Sequence, residues 1–71
     1  MRLSRKLVLK AYEELKKEMS EVTQYDVHYK ISEMLGRQLR IGEKRRITYI
    51  LKDEIGIKEE RKDSEYRIFI F

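Results

Sequence analysis

Apolar residues recur every three to four positions through residue 55, and from residue 57 onward they follow a strand-like pattern. Leu3, Leu7, Ala11 and Leu15 fall four apart, and Val8, Tyr12 and Met19 widen the same stripe. That period marks an amphipathic helix. Ser4 stands at an N-cap position, so the pattern predicts a helix over about 4–19. Leu9 falls off the stripe, either as one exposed leucine, which is ordinary, or as part of a dimer contact.

After the link Ser20-Glu-Val, Thr23 is a second N-cap, and Asp26 three residues later completes a capping-box-like start. Val27, Ile31, Met34, Leu35 and Leu39 share one face and predict a helix over about 24–39. Gly36 would lie on that helix, where glycine is a poor helix former, and its missing side chain suggests close passage of another backbone. Leu39 and Ile41 bracket a turn, and Gly42 opens a third helix over about 43–55 that buries Ile47, Ile50, Leu51 and Ile55. Gly56 is its C-terminal stop.

Ile57–Arg61 and Tyr66–Phe71 are strand-like, with Lys62-Asp-Ser-Glu65 as the turn, which gives a hairpin over about 57–71. Tyr66, Ile68 and Ile70 share one face of the last strand, and Phe69 and Phe71 the other. The expected fold class is α+β: three helices and a C-terminal hairpin in a single domain over 1–71, without repeats.

At 71 residues the chain is near the lower limit for an independent core. Eighteen Leu, Ile and Val, three Met and seven aromatics make a compact nucleus with a thin margin, for which homodimerisation is one remedy. Cysteine is absent, so disulfides and thiolate metal sites cannot contribute. No apolar run is long enough to span a membrane, and residues 1–6 lack a signal peptide's apolar region; a cytoplasmic location is the expectation. The absence of Asn and Pro, with abundant Lys, Arg, Glu and Ile, is compatible with a thermophilic source.

Charge narrows the picture further. The net charge is +4, yet residues 36–52 hold six bases against one acid, a local charge of +5. Charge concentrated on one element attracts a polyanion to a chosen face.

Catalytic constellations are missing. His28 is the only histidine and lies at the edge of its apolar stripe, where a structural role is expected. Glu13-Glu14 and Glu59-Glu60 are sequence neighbours that point different ways. No phosphate-cradling glycine loop, HExxH pair or nucleophile elbow occurs. Neither an enzyme, a cofactor nor a metal is expected.

Leu35-Gly36, Leu39, Ile41, Ile47, Ile50 and Leu51 supply the small residue, the turn apolars and the second-helix stripe of a helix-turn-helix. Residues 35–51 resemble that motif, with one extra residue between Ile41 and Ile47 relative to the commonest spacing. With the hairpin, nearly the whole chain resembles the winged helix-turn-helix family. Small regulators of archaea, and of their viruses and plasmids, look most similar in size and composition. The resemblance implies a short first strand at Glu21–Thr23 and a hairpin beside the recognition helix, whose loop, the wing, reaches DNA.

At about 100° per residue, the third helix turns Arg45, Tyr49 and Lys52 outward, flanked by Arg46 and Thr48. Arg reads guanine in two-pronged fashion, and Thr and Tyr bond bases or phosphates. Lys44 near the helix start, with Arg37 and Arg40 just before it, extends the basic surface. Arg2 and Arg5, with Lys6 and Lys10, would touch the phosphate backbone or simply keep the N-terminus soluble. Residues 53–65 are acidic, with a local charge of −3, so Arg61 and Lys62 are the only wing residues suited to phosphate. The expectation is a sequence-specific double-stranded DNA-binding regulator. The alternatives are a protein-interaction module using the acidic hairpin or the Phe69/Phe71 face, and a non-specific architectural DNA-binding protein.

Overall fold

The computed structural model describes residues 2–71. Helices α1 (Arg5–Glu18), α2 (Gln24–Leu35) and α3 (Ile41–Glu54) precede an antiparallel hairpin of β1 (Glu59–Lys62) and β2 (Arg67–Ile70). This α+β order is consistent with a winged helix-turn-helix layout. Among the described residues, no helix is long and apolar enough to cross a membrane.

The caps of α1 and α2 follow from local chemistry. Ser4 Oγ accepts the Leu7 N–H at 3.2 Å. Thr23 Oγ1 accepts the Asp26 N–H at 3.2 Å while Asp26 Oδ2 accepts the Thr23 N–H at 2.9 Å, a complete capping box. Leu7, Val8, Ala11, Tyr12 and Leu15 are buried as the stripe predicts. Leu9 is partly covered rather than exposed.

The α2–α3 turn departs from expectation. Helix α2 ends at Leu35, not at residue 39, because Gly36 adopts the left-handed conformation (φ +70°). Its N–H and that of Arg37 fold back to the Ser32 carbonyl, at 2.9 and 3.2 Å, in a Schellman-type stop. Nothing lies within 4 Å of where a Gly36 Cβ would stand, so no second backbone passes close; the glycine serves backbone conformation alone. Leu39 is buried from the turn itself.

Helix α3 then starts at Ile41, two residues early. Glu43 Oε1 accepts the Arg40 N–H at 2.9 Å, and Arg40 has no acceptor to return the bond. Gly42 therefore sits inside the first turn of α3 rather than at its threshold. The early start places Ile41 four residues before Arg45 on the outward row of the helix. Ile41 is accordingly 69% exposed and does not pack in the turn. Gly56 (φ +88°) stops α3, with its N–H bonded to the Leu51 carbonyl at 3.0 Å.

The strands are shorter than the sequence suggested, and the turn falls at 63–66, where the Asp63 N–H bonds the Tyr66 carbonyl at 2.9 Å. Lys62 belongs to β1, paired with Arg67, and Ile57 lies exposed outside the strand. The short first strand implied by the resemblance is present in rudiment. Thr23 bridges Ile70, and the Phe71 N–H donates to the Val22 carbonyl at 2.9 Å.

Strand β2 is therefore covered along both edges near its end, and the open edge belongs to the charged β1. Phe71 is fully buried with Val8, Val22, Val27, Ile31, Ile47 and Leu51. The Tyr12 hydroxyl donates to the Phe71 carbonyl at 3.0 Å. Phe71 is thus part of the core, while Phe69 is only half-buried against it. Leu9 and Phe69 are half-buried, while Tyr66 just before the last strand stays exposed.

Candidate nucleic-acid interface

One open groove of about 550 Å³ runs along the outward side of α3. Ile41, Arg45, Tyr49 and Lys52 line it from α3, Tyr25 from α2 and Phe69 from β2. His28 and Thr48 lie between the two helices. The twelve residues from Ile41 to Lys52 span about 16 Å of helix. No carboxylate lines the groove, while three cations do: Lys44, Arg45 and Lys52.

Its hydrophobic surface is unusual for water-facing residues. Tyr49 is 66% exposed and Tyr25 44%, beside the still more exposed Ile41. Lys52 places its ammonium 4.2 Å from the Phe69 ring centroid, within cation–π range. That contact braces a long side chain against the wing.

The floor explains why α2 and α3 keep their relation. His28 Nε2 lies 2.9 Å from the Lys44 carbonyl and 3.1 Å from Thr48 Oγ1. A carbonyl can only accept, so the geometry assigns the proton to Nε2. Burial pushes the His28 pKa down, and the Lys44 charge acts in the same direction, against the bond to the Lys44 carbonyl. His28 is a structural strut, as expected. Thr48, expected to flank the reading face, is half-buried, and its hydroxyl donates to the Lys44 carbonyl at 3.0 Å.

The twelve residues expected to touch DNA divide by their partners. Arg37 forms a two-pronged pair with Glu43, at 2.9 and 2.7 Å. Together with the Arg40 N–H, that pair holds the Glu43 carboxyl down to about 2. Arg5 is clasped by Asp53 (3.1 Å) and Glu54 at the far end of α3. Arg61 binds Glu21 (2.8 Å) and Glu59 (3.1 Å), tying the wing to the α1–α2 link. The charges of these three are largely cancelled within the chain.

Among the described residues, Arg2, Arg40, Lys44, Arg45, Arg46, Lys52 and Lys62 have no ion-pair partner within 4.0 Å. Five of the seven lie on α3 or at its N-cap, so of the six bases in residues 36–52 only Arg37 is matched within the chain. Lys62 stands on the hairpin and Arg2 before α1.

Sequence reasoning missed three residues of this site. Ile41 was assigned to turn packing, Tyr25 was not singled out, and Gln24 carried no visible signal. Gln24 is 5% exposed and donates its Nε2–H to the Arg67 carbonyl at 2.8 Å while its Oε1 accepts the Phe69 N–H at 2.9 Å. Its carboxamide continues, past the Thr23–Ile70 bridge, the edge that a third strand would supply.

The chain matches no protein-family model, no curated protein and no solved structure.

Proposed function

We propose that this protein binds double-stranded DNA sequence-specifically, as a transcriptional regulator that inserts α3 into the major groove. The observation that carries the reading is the gathering of unpaired Lys44, Arg45, Arg46 and Lys52 around exposed Tyr49 on a single helix. Isolated surface charge is commonplace, but Arg5, Arg37, Arg61 and Arg67 are each matched to a carboxylate, whereas Arg45 and Arg46 on α3 are not. The cations on α3 are left for an external anion.

An α-helix fits the major groove, where base edges present distinct donor and acceptor patterns. Arg45 is the principal base reader in this proposal. Lys44, Arg46 and Lys52 neutralise phosphates, and Arg40 at the N-cap adds to them. The wing contributes little, because Arg61 is engaged and Lys62 is the hairpin's one remaining cation of those expected to reach DNA.

The test is selection of bound sequences from a random duplex pool, followed by affinity measurement on the selected and a scrambled duplex across salt concentrations. A preferred site, with log affinity falling by about 0.9 per neutralised phosphate against log salt, supports the reading. Equal affinity for every duplex would make the protein a non-specific architectural one. No binding to any duplex at low salt would remove DNA as the partner, and the charged, open-edged β1 would then be the surface to examine for a protein.

A further inference from the structure

Ile41 breaks the polar character of the proposed reading surface. It stands at the first position of α3, more than two-thirds exposed, and lines the groove together with Arg45 and Tyr49. An aliphatic side chain this far in water contributes little to the core. The same row carries Arg45 one turn on and Tyr49 two turns on, so Ile41 points wherever those two point. Its β-branched side chain has one strongly preferred rotamer in a helix, which makes it a stiff apolar knob with little freedom to lose on binding.

A base pair presents only one apolar group in the major groove, the C5-methyl of thymine. Cytosine gains the same group at the same carbon when methylated. Helix N-terminal residues are those that approach base edges in helix-turn-helix docking, and Ile41 occupies that end of α3. Four residues of helix rise about 6 Å, against 3.4 Å per base pair, so Ile41 and Arg45 reach positions at most about two base pairs apart.

We propose that Ile41 is a specificity-determining residue that packs against a pyrimidine C5-methyl group, thymine or 5-methylcytosine, within about two base pairs of a guanine contacted by Arg45. This rests on the DNA-binding reading above. The arrangement pairs one apolar contact with one bidentate polar contact on the same ridge. Tyr49 follows one turn later, and the Arg45 guanidinium has no ion-pair partner among the described residues to compete for it.

The experiment replaces, one at a time, each thymine of the selected duplex by deoxyuridine, which deletes only the methyl group. The wild-type chain should lose about fourfold in affinity at one position, the effect of one buried methyl. Cytosine placed there should bind more weakly than 5-methylcytosine, which separates the base identity from the methyl group. Ile41→Ala should bind the thymine and deoxyuridine duplexes equally, with unchanged salt dependence and unchanged helical circular dichroism. Specific binding with no loss at any deoxyuridine position overturns the Ile41 assignment and leaves the DNA-binding reading intact. Absence of any preferred duplex overturns both.

Discussion

The side-chain amide of Gln24 stands in for a strand beside Phe69: its oxygen accepts the Phe69 N–H at 2.9 Å, and its nitrogen reaches the Arg67 carbonyl. Thr23 and Val22 supply real backbone partners only to the end of β2. Replacing Gln24 by Leu keeps bulk but strands two backbone groups, at about 1–3 kcal/mol for each one left unsatisfied. Urea unfolding should show a lower midpoint with an unchanged slope. Gln24→Glu, which can still accept but not donate, should fall between the two.

The arginines separate in the same way under salt. Arg45→Ala should weaken specific binding by about 1–3 kcal/mol and relax one base position. Lys44→Ala, Arg46→Ala and Lys52→Ala should each lower the salt slope by about 0.9 while weakening all duplexes alike. Arg61→Ala should leave the slope unchanged, since its guanidinium is already held by Glu21 and Glu59. Affinity titrations at several salt concentrations check all of these.

Acid acts on two groups in succession. His28 has a folded pKa below 6.5 because burial disfavours its charged form. The unfolded chain therefore binds the proton first, so stability is full above 6.5 and declines as pH falls below it. Glu43, held near 2 by Arg37, supplies stability that is complete above 4.5 and lost as pH falls toward 2. Denaturation midpoints followed against pH should lose the upper step in His28→Gln, whose amide can still donate to the Lys44 carbonyl. The lower step should shrink in Glu43→Gln.

The glycines predict opposite signs. Gly36 has φ +70° and open space where a Cβ would go, so Gly36→Ala should cost about 1–2 kcal/mol from backbone strain alone. Asn, which tolerates that conformation, should cost less. Gly42 lies within α3 with nothing within 4 Å of a Cβ position and no positive φ. Gly42→Ala should stabilise the fold by about 0.5–1 kcal/mol. Thermal or urea unfolding of the three variants measures both effects.

The helical layer was legible because the stripe in α1 and the Thr23/Asp26 cap are local signals, written within one or two turns. The end of α2 was not, since Leu39 continues the helical period and is buried, yet reaches the core from a turn beyond Gly36. Ile41 was misread for a related reason: hydrophobicity alone cannot say whether a side chain is covered, and the early start of α3 decided it. The ion pairs were invisible because Arg5 meets Asp53 and Arg61 meets Glu21, partners 48 and 40 residues apart. An exposed carboxylate has no periodicity that would announce such a match. Face analysis therefore found Arg45, Tyr49 and Lys52 correctly outward, but could not separate the free cations from the engaged ones.

Phe71 has a consequence for how the chain comes into being. It is the bulkiest of the fully buried side chains, and its carbonyl is bonded to Tyr12, 59 positions earlier. During synthesis α1, α2 and α3 are all complete before this residue exists. The helical stripes meet in one cluster, and Phe71 adds to it the largest of its fully buried side chains. Closing so long a loop is slow relative to local helix formation. The hairpin thus brings to the helical interior a side chain that is synthesised after all three helices.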